Sequence, residues 1–203
     1  MNKTILILSL SITATEIAML QTLFSQIGLN EFTVIKPVYT EHELKKIIAQ
    51  QSNNKYQWII VEVKDFYADY IQPMQWLKWA QVSLDFAVLK ILDKYKHFDF
   101  FARKAYYGYK LLVFHTSSGA YFTKNCFIRG FITRETRGIY QQGIEQIFEI
   151  DIHNPIFTND FKQFITDYHP TIAEIETNKW LLESPRFHVW QSLLDKNNLF
   201  YPY

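Results

Sequence analysis

The stretch Lys110-Leu-Leu-Val-Phe-His-Thr-Ser117, followed by Phe127-Ile-Arg-Gly-Phe-Ile-Thr-Arg-Glu135, decides how this chain is read. Two short apolar runs each end in polar residues, and the segment between them has room for one helix. A helical pattern with Gly138, Ile139, Ile144, Ile147 and Phe148 follows directly. Together these predict the closing half of an open parallel α/β sheet, in which ligands are met at the carboxyl ends of the strands.

Toward the amino terminus, Ile5 to Leu10 is an unbroken apolar run, the pattern of a central strand buried on both faces. Thr13-Ala-Thr-Glu16 is a capping box, and Ile17, Leu20, Phe24 and Ile27 share one helical face before Gly28. Phe32 to Tyr39 reads as a second strand, with Pro37 suggesting an edge position. A second capping box, Thr40-Glu-His-Glu43, opens a helix with Leu44, Ile47 and Ile48 inward, and Tyr56 to Val63 is a third apolar strand. Strands and helices alternating at this spacing predict a doubly wound start with right-handed crossovers.

The region from Lys64 to Tyr109 is longer than one crossover needs. Pro73 can open a helix, and Leu77, Ala80, Leu84, Ala87, Val88 and Ile91 form a long apolar stripe. Tyr95, Phe98, Phe100, Phe101, Tyr106, Tyr107 and Tyr109 then interleave with Lys94, Lys96, Arg103 and Lys104. Rings in this pattern either pack the extra segment onto the body or present an aromatic-basic surface to a protein or a single nucleic-acid strand. Beyond the closing half, Asp151 to Pro155 reads as a turn and Thr158 to Ile165 as a helix carrying Phe161 and Phe164. His169-Pro170 breaks the chain, and Ile172 to Leu182 and Phe187 to Leu194 form two short helices before the apolar tail Leu199 to Tyr203.

Composition narrows the function classes. With 21 basic and 20 acidic side chains among 203 residues, no overall charge bias draws the chain to nucleic acid or acidic membrane. A hydrophobic fraction of 48% excludes disorder. Cys126 is the only cysteine, so there is no internal disulfide or cysteine-rich zinc module. The first apolar run is too short to span a bilayer and reads as a buried strand, which places the chain in the cytoplasm without a membrane partner. His42, His97, His115, His153, His169 and His188 show no metal-binding spacing.

Gly130-Phe-Ile-Thr-Arg134, standing before Gly138-Ile-Tyr-Gln-Gln-Gly-Ile-Glu-Gln-Ile-Phe148, resembles the end of the receiver domain of LuxR-type response regulators. Pro155-Ile-Phe-Thr-Asn-Asp-Phe161 is similar to the segment leading out of such receivers, and the degenerate pattern is similar to the pseudo-receivers of CsgD-type biofilm regulators. The resemblance covers residues 3 to 166. It implies a flavodoxin-like (CheY-like) fold with a parallel five-stranded sheet, an enlarged helical insert at 65–109 between strands three and four, and a short helical C-terminal extension at 167–203.

A working receiver holds Mg²⁺ with an acidic pair after strand one, phosphorylates an Asp after strand three, and uses a hydroxyl and a Lys after strands four and five. Here those positions fall on Ser9 and Leu10, on Glu62, on Thr116 or Ser117, and on Arg134. Without the metal-holding acids phosphoryl transfer loses its main neutraliser. The resemblance therefore implies a non-catalytic regulatory protein, a phosphorylation-independent pseudo-receiver with no metal or cofactor. It would act in signal transduction or transcription regulation through a protein partner, a homodimer or a small phosphate-containing ligand. Glu62 and Arg134 would either pair or stay solvated, and a ligand would meet Ser9, Ser11, Thr116, Ser117 and Arg134. Interaction candidates are Phe98, Phe100, Phe101, Arg103, Lys104, Tyr106, Tyr107, Phe161 and Phe164. Direct DNA binding is not expected, since no basic recognition helix follows residue 170.

The alternative chemistry is in Ile59-Ile-Val-Glu-Val-Lys64, where E-x-K on an apolar strand resembles half of the PD-(D/E)xK nuclease motif. Glu62 would face a metal and Lys64 the attacking water. That motif also needs an upstream acid on a neighbouring strand, and the chain has no Asp before Asp65.

Overall fold

The computed structural model describes residues 5–9, 14–27, 32–35, 46, 56–72 and 75–195. The expected second helix (Thr40 to Ile48, apart from Lys46), Leu10, Ser11, Pro37, Pro73 and the tail Leu199 to Tyr203 lie outside the described residues.

In chain order the elements are β1 (Ile5–Ser9), α1 (Ala14–Gln26), β2 (Phe32–Ile35), β3 (Trp58–Ala68), α2 (Gln75–Ala80), α3 (Leu84–Tyr95), β4 (Lys104–His115), β5 (Tyr121–Ile132), β6 (Phe148–Ile150), α4 (Asn159–Tyr168), α5 (Thr177–Glu183) and α6 (Pro185–Leu194). The strands form one six-stranded sheet in the order β2-β1-β3-β4-β5-β6. By chain contacts two compact units are distinguished. One comprises Met1–Lys64, Tyr109–Cys126 and Val189–Tyr203, the other Asp65–Gly108 and Phe127–His188.

In the first unit β1 is the centre. It pairs in parallel with β2 (Ile5 opposite Phe32) and with β3 (Ile5 opposite Trp58, Ser9 opposite Glu62). Ile5, Leu6, Ile7 and Leu8 are at most 1% exposed, as expected for a strand buried on both faces. Burying one such side chain contributes about 1.5–3 kcal/mol. Helix α1 buries Met19, Leu20, Leu23 and Phe24, and the Phe24 ring lies 4.9 Å from Phe32 and 5.9 Å from Trp190.

The five-stranded, all-parallel arrangement does not survive. The residues between β4 and β5 form a tight turn and no helix. His115 N donates to Ala120 O at 2.9 Å, Gly119 N donates to His115 O at 3.0 Å, and Gly119 adopts φ 68°. Sheet neighbours joined by so few residues must be antiparallel, because a parallel pair needs a crossover of a dozen or more. Residues 121–126 alternate between exposed and half-buried, the period of a one-faced strand. β4 is also antiparallel to β3, since Thr116 N at the end of β4 donates to Gln57 O at the start of β3, at 3.1 Å.

In the second unit the expected helix at Gly138 to Phe148 is replaced by a loop, a 3₁₀ turn at Gly143–Gln146 and β6, which pairs antiparallel with β5. Gly138 at φ 86° and Gly143 at φ 85° leave the right-handed helical region, so no regular helix forms there. The apolar stripe of 77–91 does become two helices, α2 and α3, with Ser83 capping α3 by accepting from Phe86 N. The aromatic-basic segment after it is the end of α3, a turn, a 3₁₀ turn at Phe101–Arg103 and then the first half of β4 from Lys104. Phe66 anchors this unit's core, its ring 6.4 Å from both Trp76 and Phe148. Thr158 caps α4 by accepting from Phe161 N, and a capping box at Thr171 and Glu174 opens the turn that follows.

Candidate functional site

The parallel pair β1 and β3 ends on Ser9 and Glu62, which face each other in register. Both are only 2% exposed. A carboxylate taken out of water at this depth must be satisfied by donors. Ser9 Oγ donates to Glu62 Oε1 at 2.7 Å, and Trp190 Nε1 donates to Glu62 Oε2 at 2.6 Å. Trp190 is fully buried and arrives from α6, 128 residues further along the chain. Hydrogen bonds to an ionised group contribute about 1.5–3 kcal/mol each.

The result is a carboxylate whose two oxygens are each aimed by a fixed donor. It lies where β1 ends and its parallel pairing with β3 stops, on the side that open α/β sheets use for ligands. Glu62 is sealed from solvent, so what it can do is orient Ser9, the residue at which the chain leaves β1. This is positioning by a pre-organised charge.

The other expected site residues are dispersed. Thr116 Oγ1 donates to Tyr56 O at 2.7 Å and approaches Gln57 O at 3.2 Å, at the amino end of β3. Gln57 and Glu62 are five residues apart, about 16 Å at the rise of an extended strand. The structure thus brings Ser9 and Glu62 together but leaves Thr116 at the far end of the sheet. Ser117 stands beside the His115 ring, 3.4 Å from Nε2, and Ser118 Oγ is 2.8 Å from Nδ1. The same imidazole packs on Trp58 at 4.5 Å. Arg134 is exposed, just beyond β5 in the second unit.

Among the interaction candidates, Phe100, Phe101 and Tyr106 are 41%, 75% and 45% exposed. Lys104 is exposed, Phe98 and Phe164 are half-buried, and Arg103, Tyr107 and Phe161 are buried. Tyr107 donates to Glu145 at 3.1 Å, and Arg103 Nη1 donates to Ile132 O at 2.7 Å. Lys64 is half-buried on β3. Asp65 beside it accepts from Phe66 N and from the Tyr67 hydroxyl. That bond, with burial and the Asp65 charge added, pushes the Tyr67 phenol up to about 12. Cys126 is half-buried, and burial raises its thiol to about 11, which removes it as a nucleophile at neutral pH.

Two anchors escaped the sequence reading. Trp190 gave no local signal, because its partner is 128 residues away. Arg137 ties the loop before β6, with Nη2 2.9 Å from Glu149, Nη2 donating to His169 O at 3.1 Å, and Nε 3.5 Å from Glu174. Among the described residues no three His, Cys, Asp or Glu side chains converge as a metal site. Nor is any helix among them long and apolar enough to cross a membrane.

No protein-family model matches the chain, and no curated protein is similar enough to count as a relative. Solved structures do share its fold. A HAM1 protein from Coxiella burnetii superposes with a TM-score of 0.67 at 14% identity, spanning 95% of this chain and 96% of the other. A nucleoside-triphosphatase described as a dITP/XTP pyrophosphatase, from Mycobacterium abscessus, gives 0.65 at 14% identity over 95% and 98%. The Ham1 protein of Staphylococcus aureus gives 0.65 at 14% identity over 95% and 96%.

These neighbours overturn the receiver resemblance. They are not response regulators, so the reading as a non-catalytic pseudo-receiver in signalling or transcription control falls with it. The E-x-K nuclease alternative does not match them either. The expectation of a chain without enzymatic activity rested on the receiver pattern and falls with it; one neighbour, aligned over 95% of this chain, is a nucleoside-triphosphatase.

Proposed function

We propose that this protein is a nucleoside-triphosphate pyrophosphatase. It would add water to the α-phosphorus of a nucleoside triphosphate and break the bond to the bridging oxygen, so that pyrophosphate leaves and a nucleoside monophosphate remains. The observation that carries this reading is the end-to-end fold likeness to a dITP/XTP pyrophosphatase, with nearly the whole of both chains aligned. The Ser9–Glu62–Trp190 arrangement supports it, because it fixes the end of β1, on the side where such folds meet ligands. In this reading Glu62 is a positioning residue: it holds Ser9 and leaves the reacting groups to others.

The test is direct. The purified full chain is incubated with dITP, XTP and the four common ribonucleoside triphosphates in the presence of Mg²⁺, and monophosphate and pyrophosphate are quantified together. Equal amounts of both products from at least one triphosphate are expected. Release of inorganic phosphate alone, or no product from any of them, would overturn the proposal.

A further inference from the structure

Arg103 is 9% exposed, yet its guanidinium bonds to two backbone carbonyls: Nη1 to Ile132 O at 2.7 Å and Nε to Asp99 O at 3.4 Å. Among the described residues no carboxylate is bonded to it. The acids within its field are engaged elsewhere, Asp99 capping Ala102 N at 2.9 Å and Glu149 held by Arg137 at 2.9 Å. A buried cation without a bonded counter-charge is costly, and an anion arriving from solvent relieves that cost. The second cation in its field is Arg134, two residues beyond Ile132 and exposed. Arg103 Nη1 is bonded to the Ile132 carbonyl and Arg134 follows two residues later, so both cations belong to the same end of β5; burial, and after it the Arg134 charge, hold the Arg103 pKa below its ordinary value.

Flat apolar surface adjoins them. The Phe100 ring stacks on Phe131 with centroids 4.1 Å apart and planes at 26°, and Arg103 Cζ lies 5.4 Å from the Phe100 centroid. Phe101 meets Phe100 edge-on at 5.8 Å and leaves three quarters of its own surface in solvent. An exposed ring beside an exposed guanidinium is the combination that takes a base by stacking and a phosphate by forked hydrogen bonds.

We propose that Arg103, Arg134, Phe100 and Phe101 form a binding site for a free nucleotide. Arg134, with Arg103 behind it, takes the phosphate, and the base lies against the exposed ring of Phe101. A free nucleotide fits better than a nucleic-acid strand, because a strand needs a track of cations and this chain carries a net charge of only +1. The site is read from residues of the second unit alone and does not rest on the pyrophosphatase reading.

The experiment is isothermal titration of the full chain with AMP, inorganic phosphate and a short oligo-dT strand, repeated on Arg134→Gln and Phe101→Ala. Both substituted side chains are exposed, so the melting temperature serves as a check that the variants fold. The wild type is expected to bind AMP more tightly than phosphate and than oligo-dT. Arg134→Gln should weaken AMP binding about tenfold, and Phe101→Ala about fivefold or more with phosphate binding unchanged. No binding of AMP, AMP affinity equal in all three proteins, or tighter binding of oligo-dT than of AMP would each overturn the site. Turnover of triphosphates by Arg134→Gln at the wild-type rate leaves the two proposals separable, since loss of this site then spares that activity.

Discussion

Trp190 carries a function that its ring alone would not explain. The indole fills space against Phe24, while its N–H is the donor for one oxygen of the buried Glu62 carboxylate. Trp190→Phe keeps an aromatic ring in the core and removes that donor. Losing a hydrogen bond to a buried carboxylate costs about 1–3 kcal/mol, so the urea midpoint should fall accordingly with the slope unchanged. An unchanged midpoint would mean that water or another donor substitutes for the indole. His188, two residues earlier, is governed by desolvation: burial lowers its pKa below the ordinary 6.5, with the Glu183 charge opposing, and Nε2 is buried with no hydrogen-bond partner among the described residues. Between the folded value and 6.5 the unfolded chain binds more protons than the folded one, so stability rises with pH. It is therefore lost as pH falls through 6.5 and levels off below the folded pKa. Melting curves between about pH 7.5 and pH 5.5 should show a steeper decline for the wild type than for His188→Gln; equal slopes would remove His188 as the cause.

The elements differ in how far they could be read in advance, and the reasons are physical. β1, α1 and the first half of β3 follow from local pattern: Ile5 to Leu8 and Trp58 to Val61 are continuous apolar runs, and they are buried as such runs must be. Apolar runs carry no sign of direction, however. Leu111 and Val113 are fully buried and would be equally so in a parallel strand, so the run alone favoured the wrong partner geometry. The information was in the turn, where Gly119 supplies the positive φ that closes a short hairpin loop. Ser9 was legible as a strand end, whereas Glu62 lies within β3, which runs on to Ala68, and Trp190 as their third member was not legible, because no local periodicity encodes a contact at that separation. The glycines of β5 and its turn give this a test. A Cβ at Gly130 would meet Glu149 O at 2.3 Å and the Phe148 ring at 2.5 Å, whereas one at Gly119 would meet nothing within 4 Å. Gly119→Ala should then cost only the left-handed backbone penalty, about 1–2 kcal/mol. Gly130→Ala must push β6 away from β5 and should cost about 3 kcal/mol or more, overpacking added to broken pairing. A ranking in the opposite order in denaturant titrations would contradict the β5–β6 register.

Neither unit is a continuous piece of chain. The backbone passes from one to the other between residues 64 and 65, 108 and 109, 126 and 127, and 188 and 189. β3, β4 and β5 therefore contribute residues to both, and α6 does the same at its second turn. Such threading means that the carboxyl-terminal stretch completes a core begun at the amino terminus. Val189, Trp190, Leu193 and Leu194 are at most 3% exposed, all in the first unit. Ending the chain after Glu183 removes these four side chains and the donor to Glu62 together. Each large buried side chain lost contributes about 2–5 kcal/mol, and a domain has only about 5–15 kcal/mol in total. The shortened chain should therefore lose its cooperative thermal transition in circular dichroism, and with it any triphosphate turnover. Its α4 and α5 segments are untouched by the cut, so residual helical signal without a transition is the specific expectation. A truncated chain that still melts cooperatively within a few degrees of the full one would show that α6 is an appendage, and that Glu62 is held by its own strand neighbours without Trp190.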